Sequence, residues 1–379
     1  MQALVLAEEE RVEFTTVPCP RLVHTADVIV RVTACSVCGS DLHPYHGREK
    51  GIAPSTVVGH EFVGVVVAKG PQATGLEVGD RVASPFTSCC GDCFYCRKGA
   101  TCRCNHEQAH LFGWVSEGEE KLPDDVSDEA GLLLGDILST AFFCAERGEI
   151  GEGAVAVVLG CGPVGLLAVM VAKYLGAEKV FAVDSVPERL AVAEELGAQP
   201  LTLGAQPLTL GAQPLTLGTG AESVVAAVQG ATEGRGADVV LEAVGSNGAL
   251  RLAYDLVRPM GTISSVGVNT SSSFPFSPVD AYNKNVTFRS GRCPARAYMA
   301  RLLPLVREPQ QQQQQPAADG AASSSGVTAA EGAAPAAKAA LPWRRIFTHR
   351  LPLSKGPEAY DMFARRADGC IKIVLDPWA

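Results

Sequence analysis

The sequence predicts two differently built parts: a small β-barrel or sandwich first, then an α/β domain with a doubly wound parallel sheet. Three observations predict this. Short strands separated by turn residues follow one another from Ala3 to Pro85. From about Thr140, apolar strands alternate with helices. At 379 residues the chain is also long enough for two domains of ~150 residues each.

Ala3–Leu6, Val12–Val17, Asp27–Thr33, Val57–Ala68 and Asp80–Pro85 read as strands, with Gly59, Gly64 and Gly79 as punctuation. Ala154–Leu159 is an apolar strand, and Pro163–Leu175 a helix with proline in its first turn and Gly176 just past its end. Strand Lys179–Val183 and helix Pro187–Leu196, stopped by Gly197, follow; Ala237–Glu242 and Gly261–Val268 are further strands. Two segments read as additions. Gly197–Leu217 is the heptapeptide Gly-Ala-Gln-Pro-Leu-Thr-Leu in three copies, where one copy would end a helix and begin an edge strand. Residues 309–342 open with six consecutive glutamines and continue as an Ala/Ser/Gly/Pro tract, a composition that cannot bury a core.

Hydrophobic residues make up 47% of the chain and charged ones 19%, which rules out wholesale disorder. Acidic residues outnumber basic ones 41 to 32, and the net charge of −9 argues against nucleic-acid or anionic-membrane partners. The uncharged stretch Gly153–Ala172 is interrupted by Gly160, Cys161, Gly162 and Pro163 and reads as a buried strand–turn–helix, not a membrane span. The N-terminus has no basic n-region and Asp376–Ala379 matches no lipidation motif, so a cytoplasmic protein is expected. Thirteen cysteines in such a chain are not expected to be disulfides; six of them fall between Cys89 and Cys104, which points to metal.

Within that lobe (89–104), Cys90-x2-Cys93-x2-Cys96-x7-Cys104 can close a tetrahedral thiolate shell around a structural zinc with no open position. Cys89 and Cys102 lie beside the set, so spacing alone leaves the ligand choice partly open. Cys38-Gly-Ser40-Asp41-Leu-His43 and Gly59-His60-Glu61 offer further metal-ligand types at strand–turn junctions. Cys35-Ser-Val-Cys38 is also a C-x-x-C, but it lacks a following helix to lower a thiol pKa, so Cys35 reads as packing. Gly160-Cys-Gly162-Pro-Val164-Gly165 follows an apolar strand and opens a helix, the context of a dinucleotide fingerprint whose helix N-terminus meets a pyrophosphate. Nineteen residues after Gly165, Asp184 ends the next strand, where a carboxylate accepts from the ribose hydroxyls of NAD and repels the 2′-phosphate of NADP. Arg189 nearby leaves NADP open as the alternative.

These motifs, in this order, resemble the zinc-containing medium-chain alcohol dehydrogenases, most closely the glutathione-independent formaldehyde dehydrogenase-like branch. The resemblance implies a GroES-like β-barrel catalytic domain (1–139), a Rossmann NAD-binding domain (140–295) and a return to the catalytic domain (296–379). It implies two Zn²⁺ per chain, NAD, a small alcohol or aldehyde substrate and a homo-oligomer. By the same resemblance Asp136, in Leu134-Gly-Asp136-Ile-Leu-Ser-Thr140, joins Cys38 and His60 as the third ligand of a catalytic zinc. Glu61 lies behind that zinc, Asp41 orients His60, Ser40 touches the substrate oxygen and His43 ends a proton relay. Thr140 and Val164 match nicotinamide contacts, and Lys372 matches a basic residue on the pyrophosphate. The chain departs from the family after Trp114, where Val115–Glu120 runs almost directly to Lys121-Leu-Pro, as though strands were missing. That departure raises a second reading, a catalytically silent zinc- and nucleotide-binding protein.

Overall fold

The computed structural model describes residues 1–49, 51–53, 55–106, 120–204, 220–307 and 340–379. Seven strands come first: β1 (Gln2–Glu8), β2 (Arg11–Thr16), β3 (Val28–Ser36), β4 (Thr56–Val57), β5 (Glu61–Lys69), β6 (Arg81–Ala83) and β7 (Glu120–Lys121). β2, β1 and β4 make an antiparallel three-stranded sheet. The single strand expected over Val57–Ala68 is two strands in two sheets. The Val58 N–H donates to the Leu4 carbonyl at 3.0 Å, tying β4 to β1, and the chain crosses to the next sheet through Gly59 and His60.

The α/β part runs β8 (Val155–Leu159), β9 (Lys179–Asp184), β10 (Gln199–Thr202), β11 (Ala237–Glu242), β12 (Val257–Ser265) and β13 (Thr287–Ser290). All six are parallel, in the order β10-β9-β8-β11-β12-β13. The order reverses between β8 and β11, which opens a crevice at the carboxyl ends of those strands. β12 starts earlier than expected and ends at Ser265. It bulges between its pairings of Val257 with Ala237 and of Thr262 with Val239, so residues 266–268 have left the sheet. The helix after β8 (Pro163–Leu175) has no charge before Lys173 and buries Leu166, Leu167, Val169 and Val171 completely. Such side chains stabilise by ~1.5–3 kcal/mol each. This helix is apolar on every side because the sheet covers one face and the helix Ile137–Arg147 another.

The first heptapeptide copy supplies the edge strand β10; the other copies fall almost wholly outside the described residues. Most of the low-complexity segment also lies outside them. Its flanks meet, the Leu341 N–H donating to the Leu305 carbonyl at 3.0 Å, so the chain resumes where it left off. Beyond it, β14 (Phe347–Pro352) and β15 (Lys372–Asp376) complete a sheet ordered β14-β15-β3-β5-β6-β7. A continuous core joins this sheet to the parallel one through Val63, Ala83, Leu132, Leu134, Leu138 and Val158. Among the described residues, no helix is long and apolar enough to cross a membrane.

Candidate active site and metal centres

Register brings the first two donors together. β3 pairs with β5 so that Ser36 faces Glu61, which sets Cys38, just past β3, beside His60, just before β5. Asp41 holds both: its Oδ2 accepts from the Cys38 backbone N–H at 2.9 Å, and its Oδ1 lies 3.0 Å from His60 Nδ1. The third donor comes from a break between two helices, Asp128–Gly135 and Ile137–Arg147, where Asp136 adopts φ −144°, ψ −80°. The Thr140 N–H donates to the Asp136 carbonyl at 2.8 Å and starts the second helix, while the Thr140 hydroxyl donates to Asp136 Oδ1 at 3.2 Å. Asp136 Oδ2 is thereby left 3.4 Å from Cys38 Sγ and 3.2 Å from His60 Nε2.

These spacings fit a metal. A tetrahedral ion with ligands at about 2.0–2.3 Å separates N, O and S donors by about 3.3–3.6 Å. One ligand atom each from Cys38, His60, Glu61 and Asp136 lies within 4.8 Å of all the others, and all four residues are buried. Burial, then the carboxylates of Asp136 and Glu61, push the Cys38 thiol up to about 11. Burial opposes charge on His60, yet Asp41 foremost raises its pKa well above the ordinary value; burial likewise opposes ionisation of Asp136, yet its hydrogen bond from His60 lowers the pKa. A divalent cation would take the place of protons in this crowded set. Ser40 Oγ lies 3.1 Å from His60 Nε2. His43 is buried in the same cleft, its pKa held down by burial and then by Arg48.

Lys372 has a partner that the sequence reading did not foresee. It is fully buried, and its ammonium donates to Glu61 and, at 3.0 Å, to the Val37 carbonyl. Burial works against that charge, but Glu61 raises the lysine pKa above its ordinary value. Its charge is therefore matched by Glu61, behind the donor set, and not held out as a free cation for a pyrophosphate. The sequence marks this pair by no local pattern, because 311 positions separate the two residues.

The cysteine lobe resolves its own ambiguity. Cys93 Sγ lies 3.5 Å from Cys96 Sγ and 3.9 Å from Cys104 Sγ, and Cys104 Sγ lies 3.6 Å from Cys90 Sγ. Four thiolates around zinc stand about 3.8 Å apart. The short helix Phe94–Arg97 carries Cys96 inward, and the Cys93 N–H points at Cys90 Sγ at 3.3 Å. Cys102 faces instead the Arg292 carbonyl, 3.2 Å away, and Cys89 lies 3.8 Å from Arg296. Cys35 has burial pushing its thiol up to about 12, which suits packing and not redox exchange.

At the glycine-rich turn, Gly160 has φ +87°, and a Cβ on Gly165 would sit 1.7 Å from the Gly160 carbonyl oxygen, so helix and strand meet only without a side chain there. Asp184 Oδ2 accepts from the Cys161 N–H at 2.6 Å, and its Oδ1 accepts from Ser185 and Val186 at 2.7 and 3.0 Å. It therefore fixes both the glycine-rich turn and the start of the next helix. Arg189 Nη1 lies 3.8 Å from where a Cβ on Gly162 would be, and Arg189 Nε has no partner among the described residues. One cleft of about 780 Å³ is lined by Cys38, Ser40, His43, Asp136 and Thr140, and equally by Gly160, Gly162, Val164, Asp184, Arg189 and Lys372.

The shortened region that raised the silent reading overlaps residues outside those described, but β7 pairs antiparallel with β6 directly beyond it. The donor set is assembled despite the shortening, and nothing favours the silent reading.

Known proteins agree with this architecture. Residues 24–122 match the alcohol dehydrogenase GroES-like domain family, and residues 163–308 match the zinc-binding dehydrogenase family. The chain is 42% identical over 301 residues to a medium chain reductase/dehydrogenase, ucsI, of Acremonium sp, spanning 74% of this chain and 98% of that one. It is 36% identical over 332 residues to zinc-type alcohol dehydrogenase B of Aspergillus flavus, spanning 82% and 73%. The solved structure of alcohol dehydrogenase TADH from Thermus sp. ATN1 superposes with a TM-score of 0.81 at 35% identity, covering 99% of both chains. With family matches over residues 24–122 and 163–308, a 42% identical relative covered over 98% of its length, and a structural likeness spanning 99% of the chain, the chain belongs to the zinc-type medium-chain alcohol dehydrogenase family.

Proposed function

We propose that the chain is an NAD-dependent zinc alcohol dehydrogenase, transferring a hydride between an alcohol or aldehyde and the nicotinamide. One observation carries this: Cys38 and Asp136 line the same cleft as Gly162 and Asp184. Zinc held by Cys38, His60 and Asp136 supplies a Lewis acid for a hydroxyl or carbonyl oxygen. The chain's own residues do the rest. Asp41 fixes the ring of His60 and the turn bearing Cys38, and Thr140 fixes Asp136. Ser40, beside His60, would take the proton of the substrate hydroxyl, and His43, buried in the same cleft, would be the outer end of the proton path. Glu61, paired with Lys372, backs the donor set and assists ligand exchange. Cys90, Cys93, Cys96 and Cys104 hold a second, structural zinc.

The helix N-terminus after Gly162 receives the pyrophosphate. Val164 and Thr140, which line the cleft, would hold the nicotinamide, and Asp184 would accept from the ribose hydroxyls. Asp184 favours NAD, while Arg189, beside Gly162, keeps a 2′-phosphorylated cofactor as the alternative. Within the family, the motif phrases support a member of the formaldehyde dehydrogenase-like branch. Its thirteen unbridged thiols suit the cytoplasm. The edge of the parallel sheet at β13 is where a second copy would pair. The test is reduction of NAD by zinc-loaded protein across simple alcohols and formaldehyde. NADH formation lost in Cys38→Ser supports the reading; NADH binding with no turnover of any alcohol or aldehyde contradicts it.

A further inference from the structure

The part of the cleft around Cys293 carries positive charge outside the residues assigned above to zinc and dinucleotide. Cys293 is buried, and the Thr140 hydroxyl and the Asp136 carboxylate both act on its thiol. Phe86 stands there too, its ring 6.5 Å from that of His60. Around them, three guanidinium groups line the cleft from three separate segments. Arg48 follows the short helix Leu42–Tyr45, Arg103 closes the turn Thr101–Arg103 of the cysteine lobe, and Arg292 precedes Cys293. The lobe is pinned to the Arg292 segment by Cys102 Sγ on the Arg292 carbonyl at 3.2 Å. Burial, then the like charge of Arg103, pull the pKa of Arg292 below its ordinary value. Of the carboxylates near these arginines, Glu49 lines the cleft and is exposed, Asp136 belongs to the donor set, and Glu10 acts on Arg48 from outside the cleft lining. Arg48 Nη1 is shut off from solvent with no hydrogen-bond partner among the described residues.

Such an arrangement is costly without a ligand. Like charges repel, and a buried donor left unpaired loses its water without compensation. It also stands against a chain whose net charge is −9, so it is a local focus and not a general basic surface. Planar guanidinium forks match the oxygens of a carboxylate or phosphate.

Building on the dehydrogenase reading, we propose that the alcohol or aldehyde this chain takes carries an anionic group, a carboxylate or a phosphate, received by Arg48, Arg103 and Arg292. The reacting oxygen then lies at Cys38, His60 and Asp136 while the charged end is held across the cleft. The cysteine lobe contributes to specificity through Arg103 as well as to structure. The chemistry is unchanged: the C–H hydride goes to the nicotinamide and the hydroxyl proton leaves through Ser40.

The test uses zinc-loaded full-length protein with NAD and a series of ω-hydroxy acids from glycolate to 6-hydroxyhexanoate. Each is paired with the neutral diol of the same length, and 3-hydroxypropyl phosphate forms a separate arm. At some chain length the anionic member is expected to exceed its neutral partner in kcat/KM by ~10-fold or more, the scale of a charge-assisted contact. Arg103→Gln and Arg292→Gln should each shrink that ratio, and Arg292→Lys should restore part of it. Whichever of the carboxylate and phosphate arms shows the preference identifies the anion. Equal kcat/KM for charged and neutral members overturns the proposal while leaving the dehydrogenase reading intact. So does a variant that raises the KM for NAD and leaves the ratio unchanged, because it assigns the arginines to the dinucleotide. If no alcohol turns over, the dehydrogenase reading fails first. The arginines are then judged by quenching of bound-NADH fluorescence with the same hydroxy acids: saturable quenching lost in Arg292→Gln supports the anion site, and its absence in the parent protein overturns it.

Discussion

Asp41 and His60 face each other across 3.0 Å, Oδ1 to Nδ1, while the other oxygen of Asp41 takes the backbone N–H of Cys38. One carboxylate thus positions two donors of the proposed catalytic zinc, fixing the imidazole tautomer that leaves Nε2 free for metal. Asp41→Asn should keep the fold but weaken zinc at this centre by ~10–100-fold, the usual cost of losing such a partner. Competition with a chelator, followed with zinc bound at the cysteine lobe as internal control, checks this. Parallel loss of both zincs would count against the assignment.

The two centres should separate by mutation. The wild-type chain is expected to carry two zincs. Cys93→Ser should lose the lobe zinc and lower the melting temperature, because four thiolates then no longer close a loop around an ion. Cys38→Ser should lose only the other zinc and, with it, turnover. Metal content and thermal unfolding of the two variants read both effects.

Glu61 and Lys372 form a fully buried ion pair. Removing one partner leaves an uncompensated buried charge, which costs ~3–5 kcal/mol. Lys372→Met should therefore be strongly destabilised, and Lys372→Met with Glu61→Leu should recover most of the loss in chemical denaturation. A Lys372→Met chain of normal stability with a raised KM for NAD would instead return this lysine to the pyrophosphate role suggested by resemblance.

What could be read from sequence was what is local in the chain. The four lobe cysteines fall within fifteen residues, and Gly160, Gly162 and Gly165 within six, so spacing alone revealed both. Asp136 is different. By itself it reads as an ordinary acid near a helix start, and only family likeness singled it out; the break that turns its carboxylate inward is a backbone event with no residue signature. The Glu61–Lys372 pair and the Arg48, Arg103 and Arg292 cluster went unseen because each joins distant segments that only the fold brings together. The division of the expected 57–68 strand was hidden for the same reason, since β-propensity does not say which sheet a strand joins.

Asp238 gives a stability prediction with a definite sign. Burial opposes its ionisation, but the Val155 N–H at 2.7 Å and Arg258 Nε at 2.6 Å hold its carboxyl below the ordinary range. A carboxyl depressed in the folded state stabilises above its unfolded pKa of about 4 and loses that contribution as pH falls through the folded value. The pair is partly exposed, so the effect is ~1 kcal/mol at most. Asp238→Asn should lower the melting temperature at pH 7, by a margin that narrows below about pH 4. A margin independent of pH would show that the charge contributes nothing.

Asp184 holds the glycine-rich turn through Cys161, besides its proposed role at the ribose, so its loss should harm both nicotinamide cofactors. The ratio carries the information. Asp184→Ala should raise the KM for NAD more than that for NADP, and equal increases would remove the ribose role while keeping the structural one.

The central claim is that Cys38, His60 and Asp136 hold one divalent ion beside the dinucleotide. Anomalous scattering at the zinc edge from crystals grown with zinc and NADH tests it most directly. Two peaks per chain are expected, one among the four lobe sulfurs and one bounded by Cys38 Sγ, His60 Nε2 and Asp136 Oδ2, opening toward the nicotinamide. A single peak at the lobe, or a second peak remote from Asp136, would contradict it.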